Sequence, residues 1–196
     1  MYPLVESIRA EEGKLFLLEY HQKRMEKSYR HFFGKPCPFV LVKDLMPPSG
    51  LGKFKVRFLY NEHQYHIEMA PYTPRQIKKI KAVEVGDYTY THKTTERTII
   101  DTAFAQRGDC DDVLLLKNGW VTDLSYANLM LWDGQQWVTP QTPLLEGVQR
   151  QFLLDQQQIV AKPIHINDLK HYSHFQGVNA LNPFDAEHKI PLNIIK

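Results

Sequence analysis

The chain has 196 residues, 43% of them apolar, and its 24 lysines and arginines nearly balance 22 aspartates and glutamates, leaving a formal charge of +2. That length can bury a core in one large domain or two small ones, and the scatter of basic residues gives no footing for nucleic acid or an anionic membrane surface. No apolar run approaches the roughly 20 residues that span a bilayer, and Met1 to Arg9 has no basic stretch followed by an apolar core, so a cytoplasmic protein is expected.

In chain order, Leu4 to Glu11 and Lys14 to Leu18 flank Glu12-Gly13 and predict a hairpin. Its second arm feeds a helix from about Glu19 to Phe33, where Leu18, Met25, Tyr29 and Phe32 keep a helical period and Gly34 and Pro36 supply the stop. Cys37 and Cys110 lie far apart without a CxxC partner, so neither a disulfide framework nor a zinc site is suggested. Phe54 to Tyr60 and Gln64 to Ala70 alternate around Asn61-Glu62-His63, a second hairpin expected to lie against the first. Pro71 and Pro74 break that pattern, and a strand then ends near Val85. The domain boundary is placed there, giving a small N-terminal α/β lobe over 1–84 and a second lobe over 85–196.

In the second lobe, Thr95 to Gln106 has helical spacing, with Gly108 behind it as a stop. Asn118-Gly119 joins Val113–Leu116 to Trp120–Thr122, and Asp133-Gly134 joins Ala127–Trp132 to Gln136–Val138; both are hairpin signals that predict a curved sheet or barrel. Gly147 opens a helix to about Gln157, and a short helix near Asn167 to His171 precedes a strand toward Val178.

One lysine stands between a strand pattern and a helix start, in Tyr90-Thr91-His92-Lys93-Thr94-Thr95-Glu96-Arg97. That segment resembles the lysine-bearing stretch of the class IV aminotransferases, the fold type IV pyridoxal 5′-phosphate (PLP) enzymes that include branched-chain and D-amino acid aminotransferases and 4-amino-4-deoxychorismate lyase. The resemblance extends along the chain. His21, Arg24 and Ser28 match H-x-x-R-L-x-x-S with Met25 in the leucine position; Val121-Thr122-Asp123 and Asn128-Leu129 match V-T-E and N-L. Further on, Val138-Thr139-Pro140 matches T-P, Leu145-Glu146-Gly147-Val148-Gln149-Arg150 matches L-x-G-I-T-R, and Asn179-Ala180-Leu181 matches N-A/S-L. The fold class implied is α+β (α/β), two-lobed, with the β-rich lobe a pseudo-barrel.

The resemblance also implies roles. Lys93 forms the Schiff base with PLP and then shuttles a proton. Arg24 supplies a cation for the phosphate, helped by the backbone at Gly147, Val148 and Gln149 and by Asn179 and Ala180. Asp123 faces the ring nitrogen, where a buried carboxylate keeps the proton in place. Arg57 is a candidate for a substrate carboxylate, with an outward-facing strand arginine as its alternative; a turn asparagine is the alternative for Asn179, and a cap for a turn that for Asp123.

Three departures from the family pattern are visible. Val5-Glu6-Ser7-Ile8-Arg9 resembles F-E-T-I-R but stands almost at the start of the sequence, so the family's first strands are expected to be absent. Asp123 replaces glutamate and shortens the reach by one methylene, and Gln149 replaces threonine, exchanging a hydroxyl donor for an amide. The implied activity is PLP-dependent chemistry at a small-molecule amino substrate in a homodimer, 4-amino-4-deoxychorismate lyase-like, releasing pyruvate and 4-aminobenzoate. An amino acid aminotransferase, D- or branched-chain, and a non-catalytic relative are the alternatives.

Overall fold

The structure is a computed structural model that describes residues 2–195. Alternating side chains set its first sheet: in β1 (Leu4–Glu11) the even-numbered residues Leu4, Glu6, Ile8 and Ala10 are all buried. A turn at Glu12-Gly13 leads to β2 (Lys14–Leu15), and α1 (Leu18–Phe33) follows, burying His21, Met25, Ser28 and Tyr29 at helical spacing. Gly34 ends α1 in the left-handed region at φ 68°, where a residue without Cβ costs least, and its N–H donates to the Arg30 carbonyl. After the short α2 (Leu41–Asp44) come β3 (Lys53–Tyr60) and β4 (Tyr65–Pro71). The sheet order is β2-β1-β3-β4, antiparallel throughout, so the second hairpin lies against the first as expected. Leu4, Ile8, Met25, Tyr29, Val56, Phe58 and Tyr60 form its core.

The other sheet begins with β5 (Ile80–Glu84) and, after α3 (Thr98–Ala105), continues through β6 (Asp112–Lys117), β7 (Trp120–Leu124), β8 (Asn128–Trp132) and β9 (Trp137–Pro140). Asn118 and Gly119 both have positive φ, 52° and 78°, and close the β6–β7 hairpin. Then come α4 (Val148–Asp155), β10 (Val160–Lys162), a 3-10 helix (Ile166–His171), β11 (His174–Val178), β12 (Ile190–Pro191) and β13 (Ile194–Ile195). The order is β10-β9-β8-β7-β6-β5-β13, with β11 pairing both β8 and β12.

Two compact units result. The first takes the residues up to Pro74 together with His92–Glu96; the second takes Arg75–Thr91 and the chain from Arg97 onward. The division therefore falls after Pro74 instead of after residue 84, and the lysine segment goes with the first unit instead of the second lobe. The reason is local pairing. Val5 N–H donates to the Lys93 carbonyl (3.1 Å), Leu4 and Thr94 form an antiparallel bridge, and Thr95 N–H donates to the Pro3 carbonyl (2.9 Å). The same tie delays α3, which starts at Thr98 instead of Thr95. Among the described residues no helix is long and apolar enough to cross a membrane.

Phe175 on β11 is fully buried and pairs with Leu131 and Ile190. Phe175→Ala is expected to cost about 3–5 kcal/mol in denaturant unfolding, whereas Met46→Ala, at a position 78% exposed, should change stability by less than about 0.5 kcal/mol.

Candidate active site

Strand alternation turns Glu6 into the protein interior with Leu4 and Ile8, so its carboxylate needs partners. His21 and Arg24, one helical turn apart on α1, supply them. His21 Nδ1 lies 2.6 Å from Glu6 Oε2, Arg24 Nε donates to Oε1 at 3.0 Å, and Arg24 Nη2 donates to Oε2 at 2.5 Å. Burial alone would push the Glu6 carboxyl up, but the Arg24 charge and the hydrogen bonds from His21 and Arg24 outweigh it and hold it at about 2. His21 goes the other way from its ordinary value: burial lowers it, against the pull of Glu6, so the ring is neutral. With its proton on Nδ1 toward Glu6, His21 presents a bare Nε2, which is buried without a hydrogen-bond partner.

Lys93 belongs to the same unit. It is half-buried, and its charge is one of the influences that depress His21. On its upstream side, His92 Nδ1 lies 3.1 Å from Ser28 Oγ and the ring stacks on His31 at 4.2 Å. The lysine backbone is thus fixed from β1 on one side and from α1 on the other.

In the second unit Asp123, near the end of β7, is 6% exposed. Asn128 Nδ2 donates to its Oδ1 at 2.7 Å and also to the Leu145 carbonyl at 2.9 Å, while Leu145 N–H donates to Asp123 Oδ2 at 3.0 Å. Burial pushes the carboxyl up to about 6, against these donors and the Arg150 charge. The loop so pinned ends at Gly147, the cap of α4, where no side chain serves as the cap. A Cβ on Gly147 would come within 1.9 Å of Asn128 Oδ1, so any other residue there has to displace the Asn128 side chain. Val148 and Gln149 form the first turn of α4 and are buried, and Arg150 Nη2 donates to the Pro140 carbonyl (2.9 Å), fixing α4 to β9.

The remaining candidates have structural work. Arg57 Nη1 donates to Glu68 Oε2 at 2.6 Å, the residue directly opposite on β4, so its carboxylate partner lies within the sheet. Asn179 Oδ1 accepts from the N–H groups of Leu181 and Asn182, both at 2.9 Å, and its Nδ2 donates to the Tyr126 carbonyl at 3.0 Å; it holds a turn, with Ala180 half-buried inside it.

A family model described as amino-transferase class IV matches residues 49–184. The chain belongs to the class IV aminotransferase family. A Haemophilus influenzae protein described as uncharacterized is 36% identical over 186 residues, 93% of this chain and 99% of that one. A Haemophilus somnus 129PT structure with the provisional name 4-amino-4-deoxychorismate lyase is 34% identical, with a TM-score of 0.88 over 94% of this chain and 98% of its own. A hypothetical aminotransferase of Mycobacterium tuberculosis in its PLP-bound form shares the fold at 14% identity, with a TM-score of 0.72 over 98% of this chain and 80% of its own.

Within this class IV chain, three residues carry more of the geometry than their motifs suggested. Glu6 and His21 were visible inside V-E-S-I-R and H-x-x-R, and Asn128 inside N-L, but none was assigned a role; burial is what reveals them. Two predictions follow from the clusters. Glu6 is depressed from 4.5 to about 2, so its stabilisation is complete above 4.5 and disappears as pH falls toward 2, worth about 3 kcal/mol over that window. His21, kept neutral in the fold, adds acid lability below 6.5, because the unfolded chain then binds a proton that the fold refuses. Urea titrations at pH 7 and pH 3 should show this loss, and Glu6→Gln should be about 3–5 kcal/mol less stable at pH 7 with a flatter acid profile. Gly147→Ala should retain secondary structure by circular dichroism yet displace Asn128, detected as a shift of its side-chain amide resonance.

Proposed function

We propose that this chain is a PLP-dependent class IV enzyme acting on an amino-bearing substrate through Lys93, in the manner of a 4-amino-4-deoxychorismate lyase, and that it works as a homodimer. The observation that carries the reading is the buried Asp123 carboxylate, held by Asn128 and Leu145 beside a helix start where glycine packs directly against Asn128. The provisional name of the Haemophilus somnus structure, similar over nearly the whole of both chains, supports the lyase assignment.

Each unit by itself carries groups suited to the cofactor. An ionised Asp123 is a desolvated anion whose two oxygens each accept one hydrogen bond and retain a lone pair for a further donor. A protonated ring nitrogen is such a donor, and one methylene less than glutamate leaves the carboxylate correspondingly deeper. The Gly147 helix start offers backbone N–H groups of the kind that bind phosphate. Arg24, its fork oriented by Glu6, offers a fixed cation. When bound, PLP supplies an aldehyde that condenses with an amine and a ring that withdraws electrons from the attached carbon.

The protein's part is to position and to move protons. Lys93 Nζ supplies the amine and accepts the proton lost from the substrate carbon that bears the amino group. Asp123 keeps the opposing charge in place while that proton moves. In the lyase reaction the C–O bond to the enolpyruvyl group breaks as the ring becomes aromatic, and the released enolpyruvate takes up a proton to give pyruvate, with no water consumed. In the transaminase reading, favoured by the fold shared with the Mycobacterium tuberculosis protein, the amino group passes instead to a 2-oxo acid.

The purified protein with PLP is expected to develop an absorbance band at about 410–430 nm that Lys93→Ala lacks; a colourless wild type would refute the proposal. Supplied with aminodeoxychorismate it should form 4-aminobenzoate, whereas glutamate formed from an amino acid and 2-oxoglutarate, without 4-aminobenzoate, would assign it to the transaminases. Because Asp123 ionises only above about 6, PLP affinity should weaken as pH drops through 6, approaching tenfold per pH unit below it. Asp123→Asn, titrated from pH 5 to 8 beside wild type, should lose that component.

A further inference from the structure

The turn that joins β7 to β8 holds an aromatic ring in solvent between two guanidinium groups. Tyr126 is 52% exposed. Arg97 Cζ lies 3.9 Å from the ring centroid and Arg75 Cζ lies 5.5 Å from it, with Phe104 edge-on to the ring at 6.3 Å. Arg75 also sits over Phe104, at 5.3 Å. The ring is held by its surroundings. Leu124 N–H donates to the Ala127 carbonyl across the turn (2.9 Å), and Asn179 Nδ2 donates to the Tyr126 carbonyl. Arg97 Nη2 donates to the Ser125 carbonyl at 2.6 Å.

Each guanidinium also feels a carboxylate, Arg97 that of Asp101 and Arg75 that of Asp112, but neither pair is joined by a hydrogen bond. Arg97 Nε is buried without a hydrogen-bond partner, and the nearest carboxylate oxygen, on Asp101, is 3.7 Å from it, beyond hydrogen-bonding range. Arg75 is exposed. The other carboxylate nearby, Asp112, is buried and accepts from the N–H groups of Val113 (2.8 Å) and Ser125 (3.3 Å), so it braces the turn from beneath. Two cations stacked on rings, with no carboxylate bidentate on either, form a surface matched to a planar anion. Position adds to this. The turn lies between Asp123, next to last on β7, and Asn128, first on β8, and so shares the strand ends that carry the proposed ring-nitrogen carboxylate.

We propose that Arg97 and Arg75, carried on Tyr126, bind a carboxylate of the amino-bearing substrate. The inference rests on the preceding functional reading for the identity of that substrate as a carboxylic acid. It replaces Arg57, whose charge is taken by Glu68, as the residue that selects for acids.

The test uses the PLP-loaded protein and two probes of one shape, benzoate and its neutral counterpart benzamide. Benzoate is expected to perturb the cofactor band and to compete with the amino substrate, and benzamide to do neither. Arg75→Gln and Arg97→Gln should each weaken benzoate by about 10- to 100-fold, raising KM far more than they lower kcat. Arg97→Lys, which keeps the charge and loses the fork, should fall between. Arg97 also anchors the Ser125 carbonyl, so Arg75→Gln, at an exposed position, keeps the test decisive if Arg97→Gln fails to fold. A normal cofactor band with unchanged benzoate affinity in Arg75→Gln would overturn the proposal. Calorimetry of benzoate with cofactor-free protein separates the two claims: binding that depends on both arginines in a protein that takes up no PLP would uphold the carboxylate site while sinking the PLP reading.

Discussion

One side-chain amide organises the second unit. Asn128 Nδ2 donates to Asp123 and to the Leu145 carbonyl at once, while Leu145 N–H returns a hydrogen bond to the same carboxylate. A β-strand end, a buried acid and the loop leading into α4 are thereby one rigid piece. Gly147 closes against Asn128 so tightly that a side chain there would have to push the Asn128 amide aside. The position of the Asp123 carboxylate depends on this closure, because its hydrogen bonds come from Asn128 and from the loop that Gly147 ends.

Two of the buried acids, Glu6 and Asp123, illustrate opposite electrostatic solutions. Glu6 is compensated within the fold by Arg24 and His21 and stays ionised far into the acid range. Asp123 receives amide donors but no bonded cation, and burial raises it to about 6. Its fold is most stable with the carboxyl neutral, and that preference is lost as pH rises from 3.8 through 6. At neutral pH Asp123 is therefore an anion held at a cost that a cationic ligand would offset. Asp112, which braces the turn after β7, is likewise raised by burial, so a raised carboxyl does not by itself mark a binding group.

Much of this architecture was legible in the amino-acid pattern. The hairpins at Glu12-Gly13, around Asn61-Glu62-His63 and at Asn118-Gly119 follow from turn chemistry and alternation, and α1 follows from its period and its glycine stop. What the pattern did not show were α2, β10, β12 and β13, short elements with no period of their own, the strands among them existing because neighbouring strands offer partners. The start of α3 was misplaced for the same reason, since Thr94 and Thr95 look helical locally but are captured by β1. Among the site residues, ordered motifs pointed to Asp123 and Gly147, whereas Glu6, His21 and Asn128 emerged only with burial and distance. Arg57 shows the converse: its place on a hairpin allowed either a ligand contact or an outward-facing strand position, and its strand neighbour Glu68 forms an ion pair with it.

The pairing of the lysine segment with β1 bears on solubility. The outer edge of β1 is covered by β2 only at Ala10 and Glu11; at its other end the cover is the bridge at Thr94 and the Lys93 carbonyl. An uncovered strand edge is a template for sheet growth between molecules, so this stretch of chain also guards against aggregation. Because the guard is made by main-chain atoms, it does not depend on which side chain stands at position 93.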